Sequence, residues 1–295
     1  MKLLLIFSEG SHDVSFVERI LKICFNAKSN GKLKLRDFPT PLPKVLEYQI
    51  KNSELFEKNI DEAMKFFFPS SSFVFDNYFV LIFQMQGKDN VAPLKSFLAN
   101  FLYPLFSNPN EASYQYKKED IKYLFITDAD NENPVNKVNS FIESVFPITE
   151  SDSVDSDGIN IEYLSMSSIQ ESDNLKSAFI QENQAIYIWP GYGEKGTLEK
   201  ILIKIAKSSS EELLKKAGQF VEDSFSENYI KNDIAEEAKK EKSILTCAGQ
   251  GKFPGLSLAS ILRSSRSVYL FSDKQLKENE YVKEFCSFLK TFIET

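Results

Sequence analysis

The sequence predicts an α/β protein with a mostly parallel sheet flanked by helices. Three observations lead there: four short apolar runs of strand length, helical periodicity after the first and fourth of them, and polar or Gly/Pro residues closing each run. Strand then helix, repeated, is the pattern of a parallel sheet. Ligands of such sheets bind outside the carboxyl ends of the strands, so the residues just after each run are where chemistry is to be sought.

The first run is Leu3 to Phe7. With Met1 and Lys2 it is too short for a signal-peptide core or a membrane span, and Ser8-Glu9-Gly10 follows at once, so it reads as a buried first strand. Val17, Ile20, Leu21 and Cys24 recur at helical spacing and form the first helix. From about Asn30 to Asn77 the chain carries Pro39, Pro41 and Pro43, a helical pattern from Leu55 to Phe68, and Ser70 to Ser72; this reads as an insertion appended to the sheet. Phe79 to Phe83 and Tyr123 to Thr127 are the second and third strands. The acidic, serine-rich stretch Thr149 to Gly158 invites comparison with a calcium loop. Ser153 and Leu164 would fall at its first and twelfth ligand positions, so a solvated loop is the better reading. Ala185 to Trp189 is the fourth strand, with Trp189 expected in the core, and Leu198, Ile201, Leu202 and Ile205 begin the helix after it. Lys200, Lys204 and Lys207 mark that helix's solvated face. Residues from Ser210 to Lys242 read as surface helices, and Val282, Phe285, Leu289 and Phe292 as a last helix packed back on the sheet. There is no internal repeat, and the whole chain, 1–295, is expected to form one domain whose part from about 210 onward is helical.

Composition narrows the function classes. At 295 residues, 42% hydrophobic and 26% charged, the chain can bury a proper core, one rich in rings since there are 26 Phe. Three cysteines, Cys24, Cys247 and Cys286, without CxxC spacing, argue against a disulfide framework or a zinc site and for a reducing cytoplasm. A single histidine, His12, removes most Ser-His-Asp and imidazole-metal schemes, and it is expected at the surface. The net charge of −7 repels a polyanion at long range, so any nucleic-acid partner would need a cation to compensate locally. Gly87-Lys88, after the second strand, lacks the spacing of a P-loop and reads as turn chemistry.

The acidic residues carry the functional signal. The first strand runs into Glu9-Gly10-Ser11-His12-Asp13, placing Glu9 at the strand tip and Asp13 in the first helical turn. The third runs into Asp128-Ala129-Asp130, whose carboxylates point the same way if the strand persists or share a turn if it ends. Alone, each of these acids has an ordinary explanation as a helix cap, a dipole partner or an Asx turn, and so does Glu199 one turn into its helix. Together, carboxylates at neighbouring strand ends repel one another unless a cation or proton compensates. A hard-oxygen set of this kind suits Mg2+ or Mn2+.

Strand, Glu-Gly, helix and a later strand with Asp-x-Asp resembles the Toprim domain shared by topoisomerases, bacterial primases and OLD-family nucleases. Phe83 to Asn90, Trp189-Pro190 with Gly196-Thr197-Leu198-Glu199, and Phe253 to Leu258 look like an uncharacterised bacterial Toprim-related group, and these segments together cover most of the chain. The resemblance implies metal ligation by Glu9, Asp13, Asp128, Asp130 and Glu199, with Glu9 as ligand or general base and Lys252 or Lys195 as the lysine that steadies developing charge. It implies phosphodiester hydrolysis on DNA or RNA; no membrane partner is expected, since the opening apolar run is too short to span one. The rival expectation is a catalytically silent Toprim-like module that binds metal or nucleic acid.

Overall fold

The computed structural model describes the chain except residues 32–33, 53–68, 86–90, 107–115, 153–161, 171–176, 225–233 and 265–269. Its strands are β1 (Lys2–Ser8), β2 (Lys28–Ser29), β3 (Ser71–Phe75), β4 (Tyr78–Gln84), β5 (Ile121–Asp128), β6 (Ile148–Thr149), β7 (Glu162–Leu164), β8 (Ala178–Gln181) and β9 (Gln184–Trp189). Its α-helices are α1 (Ser11–Cys24), α2 (Leu42–Asn52), α3 (Val91–Phe106), α4 (Pro134–Val145), α5 (Leu198–Ser224), α6 (Ile234–Lys252), α7 (Leu258–Arg263), α8 (Asp273–Glu278) and α9 (Glu280–Glu294).

Seven strands form one sheet in the order β2-β3-β4-β1-β5-β9-β8. The four central strands, β4, β1, β5 and β9, are parallel and coincide with the four apolar runs, while β3, β2 and β8 pair antiparallel at the two edges. The stretch read as an appended insertion therefore contributes an edge to the sheet itself. Ser71–Phe75 zips back along β4, and Phe38, Leu42, Val45 and Leu46 lie in the core. The helical pattern at 55–68, Gly87-Lys88 and the 155–158 loop lie outside the described residues.

Period-two alternation divides the core into two layers. Leu4, Ile6, Leu124, Ile126, Tyr187 and Trp189 face α1 and the C-terminal helices. Leu3, Leu5, Phe7, Phe83 and Phe125 face α2, α3 and α4. On that second face three rings stack across three strands, Phe83 on Phe7 and Phe7 on Phe125, each with centroids 5.1 Å apart. Trp189 is fully buried, with its ring edge-on to Phe16.

The C-terminal helices are fixed by polar contacts as well as by burial. Arg19, 2% exposed, donates to Asp273 Oδ1 at 2.9 and 2.6 Å, to the carbonyls of Phe271 (3.2 Å) and Leu262 (3.4 Å), and to that of Ser264. Glu18 beside it pairs with Arg263 at 3.0 Å.

The topology determines where a site can form. From β1 the chain crosses to β4 on one side and returns to β5 on the other, so connections diverge from the adjacent carboxyl ends of β1 and β5. A crevice at such a switch point is where open α/β sheets bind ligands.

Candidate acidic site at the switch point

Strand register builds the site. Ser8 of β1 lies opposite Ile126 of β5, so the next residue, Glu9, comes level with Thr127 and Asp128. Glu9 Oε2 accepts from Thr127 Oγ1 at 3.0 Å and from the Asp128 N–H at 3.5 Å. Asp13, buried in the first turn of α1, accepts from the Gly10 N–H at 3.0 Å through Oδ2, while its Oδ1 is buried without a partner. Asp128 Oδ1 accepts from the Leu198 N–H, the first of α5, at 2.9 Å. Glu199, one residue on, receives Thr197 Oγ1 on Oε2 at 3.0 Å, and His12 Nδ1 lies 3.3 Å from Oε1. With Nδ1 protonated, the imidazole donates to this carboxylate.

Electrostatics ties four of these acids together. Burial, then the charges of Glu199 and Glu9, push the Asp13 carboxyl up to about 7. Burial, then Asp13, Glu9 and Glu199, push Asp128 well above the usual carboxylate range, against the pull of the Leu198 N–H. Burial also acts to raise Glu199, but hydrogen bonds, that of His12 foremost, outweigh it and leave this carboxyl below its ordinary value. Burial and the neighbouring carboxylates thus favour the protonated forms of Asp13 and Asp128, while Glu199 beside them keeps its charge.

This has a measurable consequence for stability. A carboxyl near 3.8 when unfolded and near 7 when folded binds more protons in the folded state between those values, so stability falls as pH rises from about 4 to about 7 and then levels. For Asp13 the difference corresponds to about 4 kcal/mol, and Asp128 acts in the same direction. Asp13→Asn is expected to flatten much of this decline when urea midpoints are compared at pH 4.5 and 7.5 without metal. An unchanged pH profile would contradict the assignment.

Asp130 stands apart. The strand ends at Asp128, and Asp130 turns into the left-handed region (φ 53°), its backbone paired both ways with Gly196. Its Oδ2 pairs with the largely buried Lys137 at 2.9 Å. That backbone bridge holds the Gly196-Thr197-Leu198-Glu199 turn against β5, so Asp130 organises the site through its main chain. Lys195 and Lys252 are both exposed, the latter as the last residue of α6. His12, expected at the surface, is instead largely covered and lies against Glu199.

The structure adds one acid that the sequence hid. Burial, then Glu237 and Glu199, push Glu241 on α6 up to about 7, with Lys200 opposing. A cavity of about 400 Å³ lined by Lys195, Thr197, Lys200, Glu237 and Glu241 opens there. Glu237 and Glu241 share a helix face, a signal that amphipathic reading assigned to solvent.

Among the described residues, no three His, Cys, Asp or Glu side chains are arranged to hold a metal ion as they stand. Each acid is engaged by a hydroxyl, an imidazole or a backbone N–H. The donor set nevertheless suits a hard cation: all the groups are oxygens, Asp13 Oδ1 has no partner, and the carboxyls repel one another. Mg2+ commonly takes one or two carboxylates and keeps its waters, so a three-residue cage is not required.

No family model and no curated protein matches this chain. Among solved structures, the crystal structure of a hypothetical protein from Pyrococcus horikoshii OT3 is similar at 17% identity and a TM-score of 0.48, over 99% of this chain and 100% of that one.

Proposed function

We propose that the chain is a Mg2+- or Mn2+-dependent phosphoryl-transfer enzyme acting on nucleic acid, a nuclease of Toprim type. The single observation that supports this is the meeting of Asp13 and Asp128 at the β1/β5 switch point, both raised by burial and by the charges of Glu9 and Glu199, with the Asp13 Oδ1 atom unpartnered. Asp13 and Asp128 would hold the cation, with Glu9 and Glu199 completing its surroundings. A divalent ion bound there supplies a water of lowered pKa and neutralises charge on a scissile phosphate.

The residues of the chain do the rest. Thr127 orients Glu9, and His12 and Thr197 orient Glu199, so both carboxylates are held in place. Asp13 and Asp128 release protons as a cation enters, which makes binding tighten as pH rises from 6 to 8. Lys195 and Lys200 line the adjacent cavity, Lys195 exposed and Lys200 paired with Glu194 at 2.8 Å.

A second reading is a Toprim-like module that binds metal or nucleic acid without turnover. The net charge of −7 and the exposed positions of Lys195 and Lys252 favour it. One experiment separates the two. The full chain is titrated with Mn2+ while its melting temperature is followed, and it is then incubated with supercoiled plasmid and with single-stranded RNA. The enzyme reading expects both a stabilising shift and cleavage; the module expects the shift alone. No shift at any millimolar Mn2+ concentration contradicts both.

A further inference from the structure

One carboxylate near the acidic site is met by three donors at once. Glu194, in the segment joining β9 to α5, accepts from the Tyr281 hydroxyl at 2.8 Å through Oε1 and pairs with Lys200 at 2.8 Å and Lys204 at 3.6 Å through Oε2. Lys204 also donates to the Tyr281 oxygen and stands 4.3 Å from the centre of that ring. Sequence periodicity assigns Lys200 and Lys204 to a solvated face, yet both meet Glu194. The backbone makes this possible. Gly191, Tyr192 and Gly193 lie in the left-handed region, at φ 94°, 54° and 75°, and the Glu194 N–H closes the turn on the Gly191 carbonyl at 3.0 Å. The same turn sets out Tyr192, 46% exposed, with its hydroxyl on the Glu280 carbonyl at 3.2 Å and its ring edge-on to Tyr281 at 5.3 Å.

Two ammonium groups and a phenolic hydroxyl that converge on a pair of carboxylate oxygens can serve a phosphate in the same way, since its oxygens accept from the same donors. An exposed ring held still beside them is a stacking platform for a base. We propose that Lys200, Lys204 and the Tyr281 hydroxyl bind one phosphate of a single-stranded nucleic acid whose base stacks on Tyr192, and that Glu194 occupies this subsite until the strand displaces it.

Glu194 is thus an internal competitor. Its side chain is 36% exposed, so it can leave by rotating into solvent without movement of the loop. Glu237 and Glu241 line the cavity beside Lys195 and repel a phosphate there; Lys204 and Tyr281 lie outside that lining, and the phosphate is taken on their side. The exchange lets a chain of net charge −7 carry a basic subsite that stays neutralised until a strand arrives. Glu199 directly precedes Lys200, so a strand held here runs beside the acidic crevice. That last link rests on the nuclease reading; the subsite itself does not.

The test follows the fluorescence anisotropy of a labelled single-stranded DNA of about ten nucleotides, titrated with the full chain in EDTA at low salt. Glu194→Gln keeps an acceptor for Tyr281 but loses the charge, and should bind at least about threefold more tightly than the parent because two cations are released. Glu212→Gln, which removes the same charge from a pair with Lys216 elsewhere on α5, should match the parent. In the Glu194→Gln background, Lys200→Gln with Lys204→Gln should abolish the gain and lower the slope of log affinity against log salt by about 1.4. Tyr192→Ala in that background should weaken binding at least about fivefold. Each substituted side chain is about a third exposed or more, so these variants are expected to fold as the parent does. Glu194→Gln binding no more tightly than the parent, or Glu212→Gln gaining as much, would overturn the proposal. Unchanged binding by Tyr192→Ala, with inorganic phosphate competing as well as the strand mole for mole, would overturn it in favour of a free-phosphate pocket. Because EDTA removes divalent ions, failure of the metal site leaves these titrations as they are, and failure here leaves the Mn2+ response as it is.

Discussion

Replacing Asp128 with asparagine is expected to leave the fold intact while removing metal response and cleavage. The amide oxygen of asparagine can still accept the Leu198 N–H, so the turn into α5 keeps its anchor. The repulsion from Asp13, Glu9 and Glu199 disappears, so the metal-free variant should melt no lower than the parent. Outer-shell changes at metal sites already cost about 10- to 100-fold; loss of a direct ligand should reduce Mn2+-dependent cleavage by at least about 100-fold. Melting curves with and without Mn2+ and plasmid nicking check the prediction on the same samples. Equal nicking by parent and variant would assign the activity elsewhere.

The second large effect concerns stability. Arg19→Met should destabilise the chain by about 3–5 kcal/mol, the range for breaking a buried charged network by removing one partner. Methionine fills much of the stem's volume but leaves the carbonyls of Leu262, Ser264 and Phe271 without this donor. Each such loss costs about 1–3 kcal/mol when the group stays buried. Asp273 is about half exposed, so Asp273→Asn should cost far less. Urea denaturation measures both, and a loss below about 1 kcal/mol for Arg19→Met would show that the C-terminal helices are held by apolar packing alone.

These two residues mark the boundary of what the sequence makes legible. The four central strands could be read because a strand buried on both faces is an unbroken apolar run, and β1, β4, β5 and β9 are such runs. Edge strands Ser71–Phe75 and Ala178–Gln181 carry a weaker pattern, and the first lies within the stretch that reads as an insertion. Helix α3 was not visible as amphipathic because its sequence, Val91–Phe106, is apolar nearly all round. Arg19 looks like any polar residue on a helix; its burial depends on carbonyls more than 240 positions away.

The acids show the same division. Glu9, Asp13, Asp128 and Glu199 could be located because strand tips and first helical turns are set locally, and the register of β1 against β5 then brings two of them level. Asp130 departs from the others because its left-handed backbone and Lys137 partner are tertiary facts. His12 and Glu241 escaped for a related reason: a lone histidine and an acid on a lysine-rich helix carry no sign in sequence of the carboxylate they face.

The most direct measurement is anomalous scattering from a crystal of the full chain soaked in Mn2+ at pH 7.5. The proposal requires a Mn2+ peak ligated by Asp13 and Asp128, with Glu9 or Glu199 within reach directly or through water. Contrary evidence would be an empty crevice at saturating Mn2+, with Asp128 still on the Leu198 N–H and Asp13 Oδ1 still unpartnered.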